Sequence, residues 1–143
     1  MKNMKQMLDE NPRETISVSP DATVFSALEL MAKFGIGAVL VMKDEHLAGI
    51  FSERDYARKI ILHGKSSKET LVREIMTEKV LYARPEMTSD EAMALMTDKH
   101  IRHLPVMDPN QRVLGMISIG DLVKETISQQ AFIIKQLEQY IAG

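Results

Sequence analysis

The sequence predicts an α/β (α+β) chain built from two copies of one β-α-β-β-α unit, with an extended helix at the C-terminal end. Three observations carry that prediction. The segment Pro20-Asp21-Ala22-Thr23-Val24 recurs as Pro85-Glu86-Met87-Thr88-Ser89, 65 residues further on, from position 20 to position 85. Both copies show the same order of strand-like and helix-like apolar patterns, and the motif Gly-x-x-Ser-x-x-Asp occurs in register in each, as Gly49 to Asp55 and Gly115 to Asp121. Such internal self-similarity governs every later assignment, because each copy must be read as one supersecondary unit.

Each copy opens on a short strand, near Thr15 to Val18 and near Val80 to Ala83. A helix follows. Val24, Leu28, Met31 and Ala32 fall at helical spacing after the polar Ser19-Pro20-Asp21, and Ala92, Leu95 and Met96 do the same after Pro85 and Ser89. Two strands come next, Ala38 to Met42 with Leu47 to Phe51 and Leu104 to Met107 with Val113 to Ile117, joined by polar turns. A second helix is expected to start at Ser52 and again at Ser118. Residues 62–70 read as a polar linker, and Leu122 to Ile141 as a long amphipathic helix ending at Gly143. The many methionines, among them Met31, Met42, Met76, Met96 and Met107, fit adaptable core filling. A unit of about 60 residues buries too small a fraction of its surface to be comfortable alone. Pseudo-twofold packing of the two copies into one module, with two equivalent clefts, would answer that.

Composition excludes several classes. The chain has 143 residues, 45% hydrophobic and 27% charged, which suits one domain or two very small ones. Eighteen Lys and Arg against 20 Asp and Glu give a net charge of −2, so no basic field draws nucleic acid or an anionic membrane. With no cysteine there is no disulfide framework or thiolate chemistry, and no apolar run approaches a membrane span. Together with a start that lacks a signal-peptide core, this predicts a cytoplasmic protein. The four histidines include only one close pair, His100 and His103 at i and i+3, without an acidic third ligand or a His-Glu-x-x-His arrangement, and no nucleophile elbow, Walker loop or dinucleotide fingerprint is present. No catalysis and no metal are expected.

The Gly-x-x-Ser-x-x-Asp motif sits where a strand ends and a helix begins, a place where free N–H groups and the helix dipole favour phosphate. Ser52 and Ser118 can donate to a phosphate or ribose oxygen, and Asp55 and Asp121 can accept from both ribose hydroxyls. The ordinary alternative is capping, with each Ser as N-cap. Arg102 and His103, running into a strand, suit phosphate oxygens, whereas the first copy has Ile36-Gly37 at that place and leaves room for a flat base. Arg54, Arg58 and Lys59 add positive charge after the first motif. They serve a phosphate, a partner or merely solvent.

With these residues in hand, the sequence resembles a tandem cystathionine-β-synthase (CBS) domain pair, often called a Bateman module. The segments Ser52 to Lys59, His103-Leu104-Pro105-Val106, Ser118-Ile119-Gly120-Asp121 and Tyr140-Ile141-Ala142-Gly143 are similar to those of stand-alone bacterial and archaeal CBS-pair proteins. The resemblance implies CBS domains over residues 8–65 and 72–130, a helical extension over 131–143, and disk-like homodimers. It implies non-catalytic binding of AMP, ADP, ATP, NAD or S-adenosylmethionine in clefts between the halves. Asp55 and Asp121 would then grip ribose, and Ser52 and Ser118 would lie by ribose or phosphate. Thr15-Ile16 with Ile36-Gly37, and Val80-Leu81 with Ile101-Arg102, would flank the base. Gly37 in place of a basic residue, and Ile119-Gly120 in place of Glu53-Arg54, imply unequal phosphate binding. The reading favours AMP or NAD and a sensor that reports to a partner protein; the alternative is a ligand-independent scaffold assembled through the last helix.

Overall fold

The structure, a computed structural model, describes residues 1–142; Gly143 lies outside the described residues. In chain order the elements are α1 (Met4–Glu10), β1 (Ser17–Val18), α2 (Val24–Phe34), β2 (Ala38–Lys43), β3 (His46–Ser52), α3 (Glu53–Asp55) running into a π-helical stretch (Tyr56–Ile61), α4 (Val72–Ile75), α5 (Ser89–Lys99), β4 (His103–Met107), β5 (Val113–Ser118) and α6 (Ile119–Ala142). They form two compact units. One holds Glu14–Leu81 with Asn110–Val113, and the other holds Met1–Arg13, Tyr82–Pro109 and the chain from Leu114 onward.

In the first unit β1 pairs parallel with β2, and β2 antiparallel with β3, giving the order β1-β2-β3. The β2–β3 register runs from Ala38↔Ser52 to Lys43↔His46, with a shift between Val41 and Met42. Asp44 and Glu45 both have positive φ, the backbone that a two-residue hairpin matched to strand twist requires. Helix α2 starts at Thr23, whose side chain accepts from the Ser26 N–H at 3.1 Å, and stops at Gly35, φ 62°, where a left-handed residue closes the last turn. Its Val24, Ala27 and Met31 form one stripe, and this packs with Val39, Val41, Phe51, Ile60, Val72 and Ile75 into a buried core.

The second unit has a two-stranded sheet, β4-β5, and a core of Met4, Ala83, Ala92, Met96, Leu104, Val106, Ile117 and Leu122. Here the predicted opening strand, Val80 to Ala83, shrinks to a single parallel bridge between Ala83 and Val106. Two hydrogen bonds fix it, Ala83 N–H to Pro105 O at 2.8 Å and Met107 N–H to Ala83 O at 2.9 Å. Helix α5 repeats α2, with Thr88 as N-cap and His100, φ 54°, in the left-handed place that Gly35 fills.

The units do not divide as the chain does. Residues 8–13, which the sequence reading groups with the first copy, lie in the second unit. Backbone bonding explains it: Met4 N–H reaches Met87 O at 2.8 Å, Lys5 N–H reaches Pro85 O at 3.0 Å, and Ser89 N–H reaches Lys2 O at 2.9 Å. Lys2 adds ion pairs to Glu10 at 2.6 Å and to the nearly buried Glu125 of α6 at 3.1 Å. The repeat relates α1 to α4, so each short helix precedes one copy in sequence and packs in the unit built from the other. The second helix of the first copy also departs from a plain α-helix, since only Glu53–Asp55 is α-helical before the π-helical run.

Candidate functional site

Both Ser-x-x-Asp turns are built alike. The N–H that follows each Ser is tied to the loop ahead of the strand pair, Glu53 N–H to Gly37 O at 3.0 Å and Ile119 N–H to Arg102 O at 2.8 Å. Ser52 is an N-cap whose Oγ accepts from Asp55 N–H at 3.3 Å, while the Ser52 N–H donates to Asp55 Oδ2 at 2.9 Å. Ser118 and Asp121 repeat the exchange at 3.1 and 2.8 Å. These are reciprocal capping boxes. Capping is therefore present at both sites, and it fixes each carboxylate as an acceptor at a helix start, where the dipole favours its charge.

The motif's glycine has a steric reason in each copy. A Cβ on Gly49 would lie 2.8 Å from both Met76 Sδ and Thr77 O, and one on Gly115 would lie 2.8 Å from Leu8 Cδ2. The segment after the exchanged short helix thus presses on the motif strand in the first unit, and α1 itself does so in the second. That segment also meets each aspartate. In the first unit Thr77 Oγ1 donates to Asp55 Oδ1 at 3.2 Å, and Lys59 Nζ lies 3.3 Å from the same oxygen while donating to Ile75 O at 2.9 Å. Asp55 is only 8% exposed. In the second unit Arg13 Nη2 donates to Asp121 Oδ2 at 2.8 Å. Burial pushes the Asp121 carboxyl up, but the Ser118 N–H, the Ser118 hydroxyl and the Arg13 guanidinium outweigh it and hold the group below the usual aspartate range.

Asp121 faces a pocket of about 190 Å³ whose other walls include Glu10, Asn11, Arg13, Lys124 and Ser128. With Glu125 also in the wall, two cations, Arg13 and Lys124, and two further carboxylates, Glu10 and Glu125, surround the same space.

The remaining predicted residues fall into two groups. Ile16 and Ile36 are half-buried against the first core, Thr15, Arg54 and Arg58 are exposed, and Val80 and Leu81 belong to this same unit. Ile101 packs on the second core, where Arg102 is exposed and His103 begins β4 half-buried. Arg13, Thr77 and Lys124 were not singled out by sequence. Arg13 lies 108 positions from its partner, and only its place in the polar run Asn11-Pro12-Arg13-Glu14 marks it.

A duplicated α/β module, each half carrying a strand-to-helix turn with a capped aspartate, is the class that this geometry defines. The sequence pattern of the CBS domain matches residues 11–62 and 72–128, and the chain belongs to the CBS-domain family as a tandem pair. A putative signal-transduction protein with CBS domains from Burkholderia ambifaria has a solved structure that is 48% identical, with a TM-score of 0.86 over 90% of this chain and 96% of that one. The mitochondrial CBS domain-containing protein CBSX3 of Arabidopsis thaliana is 44% identical over 128 residues, 86% of this chain and 62% of the relative. The chain therefore spans under two thirds of that relative's length. YhcV of Bacillus subtilis, a CBS domain-containing protein, is 30% identical over 90% of both chains. An inosine-5'-monophosphate dehydrogenase of Methanocaldococcus jannaschii is 32% identical, but only 23% of it is covered. Among the described residues no helix is long and apolar enough to cross a membrane.

Proposed function

We propose that this protein is a non-catalytic regulatory module that binds an adenosine-containing ligand, AMP or NAD in preference, and reports its presence to a partner protein in the cytoplasm. The observation that carries this reading is the pair of Ser-capped aspartates, one of them facing a pocket between Arg13 and Lys124. A deprotonated aspartate is acceptor-only, which suits the two hydroxyls of a ribose. The depressed proton affinity of Asp121 keeps it in that form at neutral pH. Arg13 supplies a planar fork for a phosphate next to the ribose anchor. Relatives of the same fold support the ligand class: one CBS domain pair was solved with 5'-methylthioadenosine and S-adenosyl-L-methionine, and CBSX2 with AMP.

The pocket at Asp121 is smaller than the roughly 300–1,000 Å³ typical of ligand sites. In this reading Arg13 leaves Asp121 as the ribose arrives and turns to the phosphate, and the rearranged N-terminal segment is the signal. The ligand acts by its differential affinity for the two arrangements. Isothermal titration with AMP, NAD and ATP at millimolar concentration tests this. Heat with AMP or NAD that falls about 10- to 100-fold in affinity in Asp121→Asn is expected, from the worth of hydrogen bonds to a charged group. No heat with any of the three overturns the reading. The scaffold alternative draws on the exposed apolar face of α6, and predicts that Asp55→Ala and Asp121→Ala leave partner binding and assembly unchanged.

A further inference from the structure

The position four residues after the motif aspartate carries opposite charge in the two copies: Lys59 after Asp55, and Glu125 after Asp121. In the first unit Lys59 stays beside the acid, 3.3 Å from Asp55 Oδ1. In the second unit the reversed sign puts two carboxylates on one helix, and Glu125 is only 9% exposed, where a charge needs a partner. The cation comes from the start of the chain. Lys2 Nζ lies 3.1 Å from Glu125 Oε2 and 2.6 Å from Glu10 Oε2. Its backbone place is the one that Thr70 fills in the first unit: Ser89 N–H donates to Lys2 O at 2.9 Å, as Val24 N–H donates to Thr70 O at 2.8 Å. Thr70 is neutral and buried. The cation has therefore moved from the helix in one unit to the N-terminal segment in the other.

That placement is firm. Asn3, next to Lys2, bridges Thr88 and caps α1 through a reciprocal exchange with Gln6. Gln129 donates to Glu125 Oε1 at 3.1 Å and leaves Oε2 to Lys2. Glu10 and Glu125 are both walls of the Asp121 pocket, whereas Lys2 lies outside that lining. With Lys2 counted, three cations, Arg13, Lys124 and Lys2, balance three carboxylates, Glu10, Asp121 and Glu125. Without it the carboxylates are in excess. Hydrogen bonds from Glu10 first and Glu125 second raise the Lys2 pKa above the ordinary lysine value, so it is a cation throughout the neutral range.

From the reversed charge at position 125 and the ion pairs that repair it, we infer that Lys2 is a positioning residue that fits the Asp121 pocket to a phosphorylated nucleoside, by neutralising Glu10 and Glu125 from outside the wall. This rests on the proposal that the pocket takes an adenosine-containing ligand. A phosphate entering between Arg13 and Lys124 meets two carboxylates already matched by Lys2. An uncharged nucleoside is indifferent to them. The preference for AMP over adenosine is thus governed by a residue that touches neither.

The ratio of AMP to adenosine affinity, from isothermal titration of the full chain, tests this. Lys2→Met is expected to lower the ratio about tenfold while adenosine affinity changes less than about twofold. In about 1 M salt, where the screening length falls to about 3 Å, most of that difference should vanish. Lys2→Arg should keep the wild-type ratio. Glu10→Gln, at a side chain 54% exposed, should raise it about threefold, and Lys2→Met combined with Glu125→Gln should recover most of the loss. A merely structural Lys2 would weaken both ligands alike. Thermal melting identifies a variant that fails to fold; if Lys2→Met does, Glu10→Gln still reads the same field at an exposed site. A ratio unmoved in a folded Lys2→Met, or one that does not rise in Glu10→Gln, overturns the inference. Wild-type protein that binds neither adenosine nor AMP overturns the functional reading beneath it, and this inference with it.

Discussion

Asp55 and Asp121 occupy the same place in two copies of one motif, and the surroundings have made them different groups. Asp55 is closed in by its own unit, with the Ser52 N–H and hydroxyl on one oxygen and Thr77 and Lys59 on the other. Asp121 shares the capping box, but its outside partner is one half-exposed arginine on the segment that follows α1, and it opens on a pocket. The backbone that presents a carboxylate can thus be duplicated intact, while the segment laid across it decides whether the acid is a structural fastening or an available acceptor. The first turn reads as the fastening and the second as the acceptor.

The sharpest way to break the comparison is at the glycines. Gly49→Ala drives its Cβ against a backbone carbonyl, Thr77 O, which has no rotamer to change, so a loss of about 3 kcal/mol is expected in urea denaturation. Gly115→Ala meets only the tip of Leu8 and should cost about 1 kcal/mol. Equal losses would mean that the exchanged segments press equally hard. Next come the acids. Asp55→Ala strands the Thr77 hydroxyl and the Ser52 N–H beside a carboxylate site that is only 8% exposed, while Lys59 keeps Ile75 O, and should cost about 2–3 kcal/mol; Asp121→Ala frees the Ser118 N–H and a half-exposed Arg13 that can turn to water, for about 1 kcal/mol. The same denaturation curves read both.

A smaller effect separates the two roles proposed for Arg13. Arg13→Ala should bind adenosine a few-fold more tightly, since nothing then competes for Asp121, and bind AMP a few-fold less tightly, since the phosphate loses its partner. A change of the same sign for both ligands would remove Arg13 from the ligand's path. The smallest effect is in acid. The folded Asp121 has a depressed pKa, so its contribution to stability is complete above the ordinary carboxylate value of about 4 and is lost as the pH falls from there through the lower folded value. Comparing wild type with Asp121→Asn by thermal melting between about pH 2 and 5 should show that part of the acid sensitivity disappear.

What the sequence disclosed was what repeats and what is periodic. Helices α2 and α5, the two hairpins and the Ser-x-x-Asp turns carry their own signals in apolar spacing, polar turn residues and N-caps. Helix α4 has four residues, fewer than one period of evidence can identify, and the second copy's opening strand is one bridge, held by Pro105 and Met107 rather than by any run of its own. The exchange of α1 and α4 between units depends on which surface each meets after folding, and no local pattern encodes that. Arg13 was missed for the same reason. The aspartates were visible because their role is local, and the residues that tell them apart were not, because theirs is long-range.

The exchange of α1 has a consequence in time. During synthesis, residues 1–13 are made well before their partners: the backbone that receives them, Pro85 to Ser89, and the side chains that bury Met4, as far as Leu122, follow about 80 to 120 residues later. At roughly 5–20 residues per second this is a wait of about 4 to 24 seconds. Through that interval Met4, Met7 and Leu8 have no native surface to occupy, while most of the first unit, residues 14–81, is already complete. Residues 1–13 cannot reach their place until the second unit has been made, and the carboxylate that Arg13 will hold is synthesised more than 100 residues after Arg13 itself.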